Sequence, residues 1–208
     1  MLPRVASNQG PRKPEPAKSA TAKRGAALTP PIHASPVNML NTSLSNLRLS
    51  KREYAKTRHN VGFDTLELLA GRSAVEFRKE RFWNALRARI SIDGNAVTLI
   101  KPLSYVNLSG PVARKVAEDL EVPVRNVLIV LDDFYLPLGT LRVRKQGGDG
   151  GHNGMDSIIR AFKTDRVNRL RIGIGSPHPG GAKDHVLSRF RPEERQVIEE
   201  AIRTAADA

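Results

Sequence analysis

Val127-Leu-Ile-Val-Leu-Asp-Asp133 is a run of five apolar residues closed by two carboxylates. A strand with one wet face alternates apolar and polar residues. An unbroken apolar run of this length reads instead as a strand buried on both faces, the situation created when helices cover both sides of a sheet. Asp132 and Asp133 then stand at the carboxyl end of that strand, where open α/β sheets gather their working groups. A turn-starting pair is the ordinary alternative for two such acids.

The flanking sequence supports this reading. Upstream, Val112, Val116 and Leu120 fall four apart on one helical face. Before them, Phe82 to Ile92 and Ala96 to Ile100 read as two strands joined at Asp93-Gly94, a strong hairpin signal that Asn95 lengthens. Earlier still, Val61, Leu66, Leu68 and Leu69 form a helical stripe that Gly71 is placed to stop. Downstream, Leu141 to Lys145 alternates apolar and basic residues, and Met155, Ile158, Ile159 and Phe162 form another stripe. Leu170, Ile172 and Ile174 alternate again, and a last helix starts near Pro192 with Glu193 and Glu194 at its positive end. Alternating strands and helices with one antiparallel hairpin predict an α/β fold: a single three-layer α/β/α domain around a mixed, mostly parallel sheet.

The 208 residues suit one core plus a tail. The first forty residues hold seven prolines, six Lys or Arg and one acid, Glu15, with no periodic apolar pattern, so residues 1–45 are expected to be a disordered basic leader before a domain over 46–208. An acid-poor leader also suits organellar targeting, but its prolines would interrupt the amphipathic helix such segments form, so a cytoplasmic location is expected. No apolar run approaches the roughly 18 residues that span a bilayer. With no cysteine there is no thiolate nucleophile and no cysteine zinc site. The net charge of +13 creates a field that attracts polyanions such as nucleic acid, although part of that excess belongs to the leader.

Five histidines carry any imidazole chemistry, and His59, at the start of the first helix, is placed to accept a proton near neutral pH. Alone it equally reads as a capping or surface residue. Asp132, at the end of a buried strand, supplies a poorly solvated carboxylate that can fix an imidazole tautomer. Asn107 and Asn153 each offer a donor and an acceptor, suited to orienting a water and a carbonyl together, and are also common turn residues. Gly147, Gly148, Gly150, Gly151 and Gly154 let backbone approach a ligand, but without the Lys-Ser/Thr of a phosphate loop no nucleotide cofactor is expected. His152, inside that glycine loop, could be a second base, but a histidine in such a loop is more often structural. No His-x-x-x-His spacing appears, so no metal is expected. Arg142, Arg144 and Lys145, and Arg169 and Arg171 on the following strand, suit phosphate contacts or a solvated strand face. Tyr54 and Tyr105, near His59 and Asn107 in sequence, suit stacking on RNA bases or core packing.

Taken together, Tyr54-Ala-Lys-Thr-Arg-His-Asn-Val-Gly62, Lys101-Pro-Leu-Ser-Tyr-Val-Asn-Leu-Ser-Gly110, Leu131-Asp-Asp-Phe-Tyr-Leu-Pro-Leu-Gly139, Gly150-Gly-His-Asn-Gly154 and Leu170-Arg-Ile-Gly-Ile-Gly175 resemble the bacterial-type peptidyl-tRNA hydrolases, in order and over about residues 53–190. The resemblance implies a monomeric enzyme that needs no cofactor and cuts the ester between a peptide and the 3′ ribose of tRNA. It makes His59 the base that activates water and Asp132 the group that keeps it basic. Asn107 and Asn153 would position water and substrate, Tyr54 and Tyr105 would line the tRNA 3′ end, and Arg142, Arg144 and Arg171 would grip the acceptor arm. No membrane and no obligate protein partner is implied.

The same resemblance shows departures. Where the family begins with an apolar strand ending in Gly-Leu-Gly-Asn-Pro-Gly, this chain reads Asn46-Leu-Arg-Leu-Ser-Lys-Arg-Glu-Tyr54, so Leu49 stands at the asparagine position. Val106 stands for methionine, Leu131 for histidine, and the last helix is short. A start-site or frameshift change upstream of Arg52, or true degeneration, would account for the lost strand. A sheet without its central strand predicts poor stability, with no cooperative melting above about 55 °C. The leading expectation is a hydrolase. The competing ones are a non-catalytic RNA-binding relative, like the splicing factors that share this fold, and a protein-interaction module.

Overall fold

In a computed structural model of the chain, the described residues are 37–41, 57–179 and 181–208. Seven strands form one sheet: β1 Val37–Asn41, β2 Arg78–Glu80, β3 Ala85–Ile92, β4 Asn95–Pro102, β5 Val127–Asp133, β6 Leu141–Arg144 and β7 Asn168–Gly173. The helices are α1 Val61–Arg72, α2 Ser109–Asp119, α3 Asn153–Phe162, α4 Ala182–Leu187 and α5 Pro192–Asp207. Strand order is β2-β3-β4-β1-β5-β7-β6. The four central strands pair in parallel, and the β2-β3-β4 and β7-β6 margins pair antiparallel. The mixed α/β sheet is as the sequence predicts, with the parallel pairing confined to its centre.

Alternation along β5 sets the layers. Val127, Ile129 and Leu131 join a core with Ala113, Val116, Met155 and Ile158 from α2 and α3. Val130 points the other way, into a core with Val61 of α1 and Ile198 and Ala201 of α5. Both faces of the strand are therefore covered, as its apolar run requires. The same period of two carries Asp132 to the side of Val130, toward α1. The β3–β4 hairpin turns on Asp93 and Gly94, both at positive φ, and Asn95 pairs directly with Ile92. The loop is thus two residues long, and Asn95 belongs to the strand; the twist of a two-residue turn with positive φ matches that of its strands. Gly71 lies within α1, which closes one residue later at Arg72.

The leader is corrected in one place. Val37–Asn41 is not disordered but forms β1, in register with β4 (Met39 with Leu99) and with β5 (Met39 with Leu128). Five residues, two of them Asn, make a weak local signal. Between two strands that each lack a neighbour on one side, backbone pairing outweighs that weakness. The central slot is filled, so the expectation of a destabilised sheet loses its premise. Leu49 and the residues aligned with the family's first strand lie outside the described residues.

Candidate functional site

The 3-10 turn Arg58–Asn60 leads into α1 and places His59 over the carboxyl end of β5. His59 Nδ1 lies 2.6 Å from Asp132 Oδ1, with both side chains buried. Since a carboxylate only accepts, Nδ1 carries the hydrogen and Nε2 is left with its lone pair. Burial by itself would lower the His59 pKa, and the Asp132 charge and hydrogen bond outweigh it and raise it above 6.5. Burial would likewise raise Asp132, but the attraction and hydrogen bonds of His59 and His152 hold this carboxyl well below the usual carboxylate range. Asp132 is a permanent anion at working pH.

His152, weighed from sequence as a second base or a structural residue, is a further partner of Asp132. It is the N-cap of α3, and its Nδ1 accepts from the backbone N–H of Gly154 at 3.1 Å and of Met155 at 3.2 Å. Nδ1 being an acceptor, Nε2 carries the hydrogen and donates to Asp132 Oδ1 at 3.2 Å. One carboxylate oxygen thus receives two imidazoles, whose ring centroids lie 5.2 Å apart. A histidine directly before a helical stripe was the available signal for the cap; its reach to Asp132 had none. His59, Asp132 and His152 also place three ligand-type atoms within 4.8 Å of one another, a donor set that suits an imidazole-binding divalent ion. Here the three atoms satisfy one another by hydrogen bonding.

These groups open onto a cavity of about 350 Å³ whose walls include His59, Asp132, Asn153 and Arg171. Arg171 Nε pairs with Asp133 Oδ2 at 2.7 Å. Its guanidinium lies against Gly150, where a β-carbon would come within 2.7 Å of Nη2 and push the arginine aside. Val106, Phe134, Val186 and Leu187 supply an apolar side, the last two from α4, which sequence periodicity did not reveal.

The other expected residues scatter. Asn107 and Tyr105 are exposed on the loop beside Val106, outside the cavity wall, with Tyr105 53% exposed. The helix that follows is packed tightly on α3: Gly110 of α2 donates its N–H to Ser157 Oγ at 3.0 Å, and a β-carbon at Gly110 would stand 2.0 Å from the Ser157 carbonyl oxygen. Arg142 and Arg144 are exposed on the edge strand β6, directly opposite Arg171 and Arg169. Arg169 is buried instead, donating to the carbonyls of Asp165, Val167, Gly147 and Gly148, and so braces the glycine loop rather than facing a ligand. Tyr54 lies outside the described residues.

Arg58, next to His59, is almost wholly buried. It donates to the Ile174 carbonyl at 3.0 Å and to Glu194 Oε2 at 2.5 Å, and its guanidinium sits 4.7 Å from the Phe190 ring centre. Glu194 also receives the Arg191 backbone N–H, and against the cost of burial these bonds lower its pKa to about 2. The turn that carries His59 is thereby locked to the start of α5.

Comparison with known proteins gives the family. A family model described as peptidyl-tRNA hydrolase matches residues 43–208. The chain is 40% identical over 157 residues to a peptidyl-tRNA hydrolase of Alkaliphilus oremlandii, covering 76% of this chain and 84% of that one. It is 44% identical over 158 residues to a peptidyl-tRNA hydrolase of Geobacillus thermodenitrificans, with the same coverage of 76% and 84%. The solved structure of peptidyl-tRNA hydrolase from Acinetobacter baumannii matches with a TM-score of 0.76 at 31% identity, covering 84% of this chain and 87% of that one. The chain belongs to the peptidyl-tRNA hydrolase family.

Proposed function

We propose that this protein hydrolyses the ester between a peptide and the 3′ ribose of tRNA, returning tRNA to translation, as a monomer in the cytoplasm. The observation that carries the proposal is the buried His59–Asp132 pair in the wall of the cavity. Neutral His59 accepts a proton from water through Nε2 as the oxygen attacks the ester carbonyl, and the charge that forms on the ring is stabilised by Asp132. The tetrahedral intermediate then expels the ribose 3′ oxygen, which takes up the proton. The Asn153 amide, on the cavity wall, is assigned to orienting the water or the carbonyl, with Asn107 completing the site when substrate is bound. The apolar wall of Val106, Phe134, Val186 and Leu187 suits peptide side chains, and Arg171, Arg142 and Arg144 suit the phosphates of the acceptor arm.

An intact base and orienting acid, both buried and paired, speak against a non-catalytic RNA-binding role. The test is release of labelled peptide from N-acylated aminoacyl-tRNA by the purified chain. Turnover is expected, and His59→Ala should lower kcat by about 10² to 10⁴. Wild-type protein that binds tRNA yet releases no peptide would overturn the proposal.

A further inference from the structure

Phe82 is 85% exposed, the most exposed large apolar side chain among the described residues. Leaving so large an apolar ring in water is unfavourable. Its exposure is built in. The neighbouring Trp83 is buried and donates Nε1–H to Asp119 of α2 at 2.7 Å, while Asn84 at positive φ gives its carbonyl to the Leu103 N–H at 2.8 Å. The turn between β2 and β3 is thus fixed directly after Phe82, whose ring projects outward.

The surroundings are basic. Residues 78–89 carry Arg78, Lys79, Arg81, Arg87 and Arg89 against the single acid Glu80. Arg78, Lys79 and Arg81 are exposed, and none has an ion-pair partner among the described residues. Position ties this patch to the cavity. Ala85 pairs with Pro102 at the carboxyl end of β4, and β4 runs parallel to β1 and β5, so the Phe82 turn lies at the same rim of the sheet as Asp132. From β5 across β1 and β4 to β3 is three strand spacings, about 14 Å. Exposed Tyr105 and Leu108 follow β4 at that same rim.

We propose that the Phe82 turn is a second RNA contact, about 14 Å along the rim from the strand that carries Asp132. Phe82 stacks on an unpaired base or a terminal base pair of the tRNA, and Arg78, Lys79 and Arg81 hold flanking phosphates. The inference rests on the tRNA substrate proposed above. An exposed aromatic ring beside unpaired cations is the pairing that nucleic-acid grooves use, one for bases and the other for the backbone.

The test is titration of deacylated tRNA with the full chain, alongside hydrolysis of a peptidyl ester on a single adenosine, which cannot reach the patch. Phe82→Ala is expected to weaken tRNA binding about tenfold, within the range contributed by one stacked base. Phe82→Trp should bind like wild type. Replacing Arg78, Lys79 and Arg81 together by Gln should lower the salt dependence of log Kd by roughly two, at about 0.7 to 0.9 per phosphate lost. Peptidyl-adenosine turnover should be unchanged throughout. Affinity for tRNA within twofold of wild type in both the Ala and the triple variant overturns the proposal, as does a change of oligomeric state with tRNA affinity intact, which would assign the surface to a second copy. If the chain hydrolyses neither substrate, the hydrolase reading fails alone, because the binding titration still decides this one.

Discussion

Asp132→Asn isolates the charge in the site. One carboxylate oxygen receives both His59 Nδ1 and His152 Nε2, so an amide with its oxygen in that place keeps both hydrogen bonds while losing the negative charge. Two unit charges about 4 Å apart at an effective dielectric near 20 attract by about 4 kcal/mol. That attraction is present only once His59 has taken its proton, in the transition state and after. Its loss is worth up to about 10³ in rate, with relaxation of the surroundings leaving about 10² or more. The acid limb of the pH profile should move as well. Burial lowers the His59 pKa and stays in the variant, whereas the Asp132 charge that raises it is gone. In wild type, kcat/KM should therefore fall as pH drops through a value above 6.5, and in Asp132→Asn the fall should begin at lower pH. Peptide release from N-acylated aminoacyl-tRNA between pH 5 and 9 measures both, with circular dichroism confirming the fold. A variant that keeps wild-type kcat, or whose acid limb stays in place or moves upward, would refute the coupling.

His152→Asn and His152→Ala should separate the two duties of that side chain. Asparagine can cap α3 but is too short to reach Asp132, so it should cost activity with little loss in thermal melting, whereas alanine should also lose about 0.5–2 kcal/mol of capping. Glu194→Gln removes the counter-charge of buried Arg58 and should destabilise the protein by about 1–3 kcal/mol in chemical denaturation. Because the folded Glu194 pKa is about 2, below its unfolded value, its contribution is complete above the unfolded pKa and is lost as pH falls toward 2. Wild type should thus lose stability over that window more steeply than Glu194→Gln, and equal slopes would count against the pairing.

Much of the fold was legible because its signals are local. The apolar run at Val127–Leu131, the turn at Asp93-Gly94 and the stripes of α1, α2, α3 and α5 each follow from contiguous residues through a period or a turn preference. The resemblance carried by His59, Asp132 and Asn153 placed three groups that do line one cavity. What failed was also local: β1 and α4 are short segments of five and six residues with no strong pattern, and their neighbours define them.

From the sequence alone came the proposed base, the acid at the strand end and the α/β frame that brings strand ends together. Only the tertiary structure decided who touches whom. His59 and Asp132 are 73 positions apart, Arg58 and Glu194 are 136 apart, and His152 turned from a loop histidine into the second partner of a carboxylate. Whether such groups meet depends on burial and on packing of distant elements, which also set the sign of each pKa shift; neither is encoded in any short window of the chain.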